Sequence, residues 1–281
     1  MNKAKFVRME ARLKKKLYRE VALKSLKALI HDSGPYFIFD CGCGEAYEAV
    51  YGFLPVLRRL KLNAEITILL LDLSKKALEK ALRKLKQTSS KGIVEVYAVV
   101  CDVAHLPFNK VVVDRALGFY GSILHELYMR KSLNEALSEA GRYYRLMAGY
   151  DYVDPDPRGE FKIKITDLNA DLRKRIFRLA EKLGEQVDDL CRLSLVLEAV
   201  YQLSFPGGQP LSHLHFTRKV SSMRRLLSRQ GLRLRWTKRY DIAPEVGFRL
   251  KALGAAHLPF PFPLKGRLAW LAERYKHSKD F

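Results

Sequence analysis

The stretch FIFDCGCGEA, residues 37–46, runs strand-forming residues into Asp40 and then into Gly42 and Gly44, two glycines separated by one cysteine. At the end of a strand, small residues let the backbone approach a ligand, and the next helix offers the free N–H groups of its first turn. A dinucleotide fingerprint would need a third glycine where Tyr47 stands, and a phosphate-gripping loop would need Gly-Lys-Ser/Thr; neither is present. The loop therefore suits a ligand without a pyrophosphate, with Asp40 able to hold an ammonium group through water or backbone. Two more acids follow apolar runs: Asp72 can accept both hydroxyls of a ribose, and Asp102 can accept from an exocyclic amine. Cys41, Cys43, Cys101 and Cys191 form no C-x-x-C pair and follow no disulfide or zinc spacing, so packing is their expected role. His213 and His215 alternate but lack a third ligand, and no metal is expected.

These acids need strands to carry them. Apolar runs over 36–40, 66–71, 94–100, 111–113 and 150–154 predict five strands, each closing on an acid or leading into one. Helices are predicted between them over 46–61, in the segment LSKKALEKALRKL, and over 131–147. Largely apolar strands alternating with amphipathic helices imply a parallel sheet covered on both faces. Beyond strand five the alternation stops. Leu168, Leu172, Ile176, Leu179 and Leu183 make one helical stripe, and Val187, Leu190, Leu193, Leu197 and Val200 make another, ending at the turn SFPGGQP. Thr217 can cap a helix to Gln230. Then Leu232, Leu234 and Trp236, and later Val246, Phe248 and Leu250, alternate with polar residues or glycine, which predicts an antiparallel pair with a basic outward face.

The expected fold is thus α/β: a doubly wound, mostly parallel seven-stranded sheet of Rossmann type that ends in an antiparallel hairpin. The expected organisation is a basic N-terminal helix in 1–35, a main domain over 36–253 with a helical insertion at about 158–210, and a basic tail over 254–281 with a short helix at 264–275.

Charge is segregated along this plan. Residues 1–35 hold ten Lys/Arg against three Asp/Glu, residues 212–281 hold sixteen against four, and the middle holds 25 against 23. A near-neutral centre with two basic ends fits a core that does one job and flanks that hold a polyanion, most simply nucleic acid. The candidate contacts are Arg8, Arg12, Lys15 and Arg19 on the first helix, Arg224, Arg225 and Arg229 before the hairpin, and Arg233, Arg235, Arg249 and Lys251 on its outward face. No apolar run reaches transmembrane length, and the opening residues have no signal-peptide core, so no membrane partner and a cytoplasmic location are expected. Sparse Asn and Gln beside plentiful Lys, Arg and Glu fit a protein that works hot.

Together these motifs resemble the class I S-adenosylmethionine-dependent methyltransferases, over about 36–154 and 217–253. FDCGCGEA looks like their first motif, ILLLDLSKKALEKA like their second, and VVCDVAHLPF like their third. The resemblance implies S-adenosyl-L-methionine as cofactor. It implies Asp40, Gly42 and Gly44 at the methionine part, Asp72 on the ribose with Leu73 beside it, and Asp102 near the adenine amine with Val103 along the ring. YGSILHELY resembles the segment after the family's fourth strand, which makes His125 and Glu126 the candidates for substrate chemistry. RLMAGYDYVDP stands where the family usually carries a Pro-Gly-Gly turn. The Asn-Pro-Pro-Tyr type motif used on base amines is absent, as is a Pro-Cys pair for attack on pyrimidine carbon. The expected function is methyl transfer to nucleic acid, with RNA favoured over DNA because the family so often modifies it. Two alternatives stand beside it: an inactive fold serving as a basic component of a ribonucleoprotein or virion, and a small-metabolite methyltransferase.

Overall fold

A computed structural model describes residues 3–60, 64–86, 94–108, 113–205, 219–255, 257, 258, 260 and 263–275. In chain order its first part runs α1 (Lys3–Leu13), α2 (Lys15–Leu29), β1 (Tyr36–Cys41), a π-helical turn (Ala49–Phe53), α3 (Leu54–Leu60), β2 (Ile66–Asp72), α4 (Lys75–Lys86), β3 (Val94–Val100), β4 (Ala116–Gly121), α5 (Leu124–Met129), α6 (Leu133–Tyr143) and β5 (Leu146–Tyr152). The remainder runs β6 (Lys162–Lys164), α7 (Ala170–Leu183), β7 (Leu190–Arg192), α8 (Leu193–Ser204), α9 (Val220–Arg229), β8 (Leu232–Tyr240), α10 (Ala243–Ala252) and β9 (Arg267–Arg274).

The residues fall into two compact bodies. The larger comprises Lys14–Asp151, Met223–Lys238 and Ala269–Phe281 and is built on a seven-stranded sheet of order β3-β2-β1-β4-β5-β9-β8. Strands β1 to β5 pair in parallel. β9 runs against both of its neighbours: Arg274 N–H reaches Arg145 O, just before β5, and Tyr275 N–H reaches Gly231 O, just before β8. β5 is buried along its whole length, as a central strand covered on both faces should be. Helix α4 turns Leu78, Ala81 and Leu85 inward and keeps Lys75, Lys76, Lys80, Arg83 and Lys86 exposed.

The smaller body comprises Met1–Leu13, Tyr152–Ser222 and Arg239–Leu268. Its core joins Leu172, Ile176 and Leu179 of α7 to Val196, Leu197 and Val200 of α8 and to Val246 and Leu250 of α10. α7 is capped at Asn169, whose side chain accepts from Leu172 N–H, and stops at Gly184 in the left-handed region.

The doubly wound sheet and the helical insertion follow the sequence reading, and several elements do not. The single basic helix expected within 1–35 is interrupted at Lys14, and its halves belong to different bodies. Arg8 and Arg12 therefore do not share one helix with Lys15 and Arg19. The fourth strand lies at 116–121 instead of at the valine run, of which Val111 and Val112 are outside the described residues. Its two glycines disguised it, although Gly118 is required because a Cβ there would come 2.3 Å from the Tyr144 ring. The antiparallel pair at the sheet edge is present, with a different second strand. Residues 246–251 lie in helix α10, opened by Pro244 in its first turn, and Ile242, Val246, Arg249 and Leu250 are buried at helical spacing. The partner strand is β9, in the segment expected to hold a short helix: RLAWLA is buried without alternation, which hides the period-2 signal. The Thr217 cap, His213, His215 and most of the SFPGGQP turn lie outside the described residues.

One candidate nucleic-acid contact is corrected by this. Arg249 is 1% exposed; Nη2 donates to Glu10 Oε2 (2.7 Å), Nη1 donates to Ser204 Oγ (2.9 Å), and the guanidinium lies 4.0 Å from the Tyr201 ring centre. It is a core cation, because the helix turns it inward where a strand would have turned it out. Lys251, two residues on, is exposed.

Candidate functional site

At the carboxyl ends of β1, β2, β3 and β4 a cleft opens in the larger body. Gly42, Gly44, Asp72, Leu73, Asp102, Val103 and Glu126, all predicted from sequence, line it together. Cys101, Ser122, Ile123, Leu127 and Arg130 complete the wall.

The loop after β1 has the geometry its glycines announce. Gly42 and Gly44 sit at φ +68° and +52°, where a side chain is strained. They differ in what surrounds them. A Cβ on Gly42 would come 1.8 Å from Ile123, so that glycine lets the wall close, whereas a Cβ on Gly44 would meet nothing within 4 Å and would project into open space. Asp72 ties the loop to β2: Oδ2 accepts from Gly44 N–H and Oδ1 from Ser74 N–H, both at 2.8 Å. Asp102 Oδ1 accepts from Ala104 N–H (2.9 Å). On the loop's outer side Lys80 and Lys84 pair with Glu45, and the Lys84 ammonium stands 3.5 Å from the centre of the Tyr47 ring, at the position a third glycine would hold.

Asp40 lies below this floor, 1% exposed, and does not line the cleft. Its Oδ2 is buried without a hydrogen-bond partner. Burial, then the charges of Glu48 and Asp72, push its carboxyl well above the usual range. Glu48 accepts a short hydrogen bond from Tyr150 OH. The thiols around the loop are equally disfavoured as anions: burial pushes Cys41 up to about 12 and Cys101 to about 11, so neither is a thiolate nucleophile near neutral pH.

The two candidates for substrate chemistry separate. Glu126 is exposed on the cleft wall. His125 is buried and does not line the cleft; Asp151 takes its main-chain N–H (2.9 Å) and stands 2.8 Å from its Nδ1. That bidentate grip fixes the turn after β4. Ser122, next to it, sits at φ +55° with a buried, unpartnered Oγ. Asp151, Glu48 and Ser122 escaped sequence reading. A serine directly after a strand was a readable signal, whereas Asp151 and Glu48 gain meaning only from partners 26 and 102 residues away.

These residues fit a nucleoside with a cationic tail. They offer an orphan acid oxygen under the loop, open backbone at Gly44, acids at the ends of β2 and after β3, and Leu73, Val103, Ile123 and Leu127 for a flat ring. Among the described residues no group of three or more His, Cys, Asp or Glu could hold a metal ion, and no helix is long and apolar enough to cross a membrane.

The sequence matches no protein-family model and no curated protein. Solved structures do resemble the chain. An S-adenosylmethionine-dependent methyltransferase from Aquifex aeolicus aligns with TM-score 0.50 at 13% identity, covering 98% of this chain and 100% of that one. The [4+2]-cyclase SpnF aligns with TM-score 0.50 at 13% identity, covering 92% and 80%. A possible exported protein from Bordetella parapertussis aligns with TM-score 0.51 at 10% identity, covering 94% and 67%. With the sheet order above, the fold is that of the class I S-adenosylmethionine-dependent methyltransferases. A cyclase among its neighbours is a reminder that this fold does not by itself name a reaction.

Proposed function

We propose that this chain binds S-adenosylmethionine in the cleft and transfers its methyl group to nucleic acid, RNA before DNA. One observation supports the cofactor: acids from three strand ends converge on one glycine loop, and the deepest, Asp40, keeps an oxygen with no partner in the protein. An ammonium group above the loop would supply the positive charge that lets Asp40 ionise. Each Asp72 oxygen uses one lone pair on a backbone N–H and retains another for a ribose hydroxyl. Asp102 keeps Oδ2 for an amine while Oδ1 holds Ala104. When bound, the cofactor supplies an electrophilic methyl group on a sulfonium. The chain's own task is then alignment and, for a hydroxyl or amine acceptor, removal of a proton. Glu126 suits that task, exposed on the wall with no side-chain partner among the described residues. His125, gripped by Asp151, is a positioning residue for the same turn.

The acceptor reading rests on the segregated charge. Arg224, Arg225, Arg229 and Arg233 are exposed and have no ion-pair partner among the described residues. A small-metabolite acceptor is the second reading, favoured by the internal neutralisation of other end-segment cations: Arg235 pairs with Glu273, Lys238 with Glu20, Arg249 with Glu10 and Arg267 with Glu245.

The test is incubation of purified protein with methyl-labelled cofactor and RNA, DNA or small-molecule extract. Label in RNA sustains the proposal, and label only in the extract promotes the second reading. If calorimetry finds no uptake of the cofactor or its demethylated product, both fall and a basic structural role remains. Glu126→Gln should lower turnover roughly a hundredfold at unchanged cofactor affinity and melting temperature.

A further inference from the structure

From residue 199 to residue 240 the chain has no Asp or Glu and nine Lys or Arg. The cations of β8 in this run are not scattered. Arg235 Nε and Nη2 reach Glu273 Oε2 at 2.8 and 2.7 Å, and Arg145 Nη2 reaches Oε1 of the same carboxylate at 3.6 Å. Side chains alternate along a strand, so the face that holds Arg235 and Glu273 also holds Arg233 and Tyr275, two positions away on each side. Tyr275 continues the ladder one step past β9, through its N–H to Gly231 O at 2.9 Å. It is 46% exposed, and Arg233 beside it is exposed without an ion-pair partner among the described residues. β8 is the last strand of the sheet, so this face is also open along one side.

We propose that this face of β8 and β9 is a docking platform for single-stranded nucleic acid, with Tyr275 stacking on a base and Arg233 and the Arg235–Arg145 pair taking phosphates. The proposal rests on the nucleic-acid reading above, not on methyl transfer. An exposed aromatic ring among guanidinium groups offers both contacts that a flexible strand can use, a flat face for an unstacked base and cations for its backbone. An acidic peptide would use only the second, and a duplex keeps its bases stacked away from the ring. Glu273 holds two guanidinium groups in place and neutralises one charge, leaving them oriented and still net positive. Position adds a requirement on the acceptor. The platform lies where β5 begins, and the cleft lies where β1 to β4 end, so a seven-residue strand separates them by roughly 23 Å. A strand bound at both places must be several nucleotides long.

The experiment is fluorescence anisotropy of the full chain with a labelled 20-nucleotide uridine oligomer at several salt concentrations. Tyr275→Ala should weaken binding roughly 5- to 150-fold and leave the salt slope unchanged, the range for loss of one stacked base. Tyr275→Phe should bind as wild type does. Arg233→Ala should flatten the salt slope by roughly 0.7. All three should take up S-adenosylhomocysteine normally, which shows that the fold is kept. Wild-type binding that Tyr275→Ala does not change overturns the platform and leaves the nucleic-acid reading standing. So does equal affinity for duplex, or equal competition by polyglutamate. No binding by wild type at low salt removes both.

Discussion

The two bodies of this chain bury charge in opposite ways. In the smaller one, carboxylates face guanidinium groups: Glu10 bonds Arg249 and Glu245 bonds Arg267, all four residues below a tenth exposed. In the larger one, Asp40 is buried under the influence of two more acids, Glu48 and Asp72, and one of its oxygens bonds to nothing. An ion pair balances its own charge and points to architecture, even where Arg249 keeps a buried Nε without a hydrogen-bond partner. An acid held among acids raises the energy of the empty protein, and such groups concentrate where a ligand relieves them.

Breaking the closed pair should give the largest effect. Arg249→Ala removes the buried cation that Glu10 bonds and should cost roughly 3–5 kcal/mol in denaturant unfolding. Replacing both partners by apolar residues, Glu10→Leu with Arg249→Met, should recover most of that loss. A single variant as stable as wild type would mean that the pair does not organise this body.

Asp40→Asn should do the reverse, keeping the fold and weakening the site. Loss of the carboxylate should weaken cofactor binding by roughly 1.5–3 kcal/mol, about ten- to a hundredfold in Kd by calorimetry. Its pH dependence has a definite sign. The folded chain holds the Asp40 proton to higher pH than an unfolded carboxyl at 3.8 would. The stability this contributes is complete below that value and is lost as pH rises through the raised one. Wild type should therefore lose stability relative to Asp40→Asn as pH rises above 3.8 and through the raised value, and cofactor binding should release a proton. A flat difference between the two proteins would sink this account.

The smallest effect belongs to a pair on the surface. Arg115 bonds both oxygens of Asp32, at 2.7 and 2.8 Å. The Asp32 carboxyl is held down to about 2, first by the Gly34 N–H and then by Arg115 and Tyr36. Here the sign is the usual one for a depressed acid: the contribution is present above the ordinary value and lost as pH falls towards about 2. Arg115→Ala should leave the melting temperature near neutral pH almost unchanged and move only the acid limb of the stability curve. A large neutral-pH shift would erase the contrast between exposed and buried pairs.

What was legible in the sequence follows the same division. Asp40, Gly42, Gly44, Asp72 and Asp102 were readable because each is a residue type that a strand end needs, next to the strand that carries it. Arg249 was misplaced because six residues of period 2 also fit one helix face, and the deciding partner, Glu10, is 239 positions away. The sequence of β9 reads as a helix because a strand buried on both sides has no alternation, and its leucines and alanines favour helix. The grip of Asp151 on His125 could not be read at all, since only the register of β4 against β5 brings them together.

The π-helical turn at Ala49–Phe53 gives the cleft an inheritance it cannot easily shed. Such a turn is an α-helix with one residue too many, and each residue rotates a helix by about 100°. Losing one codon there would restore an ordinary helix with its backbone bonded throughout. It would also swing Glu48 and the glycine loop out of phase with α3 and take Glu48 from Tyr150, a change that no exchange of side chains imitates. Among descendants of this gene, the length of that short stretch would mark which lineages keep the pocket and which keep only the scaffold around it.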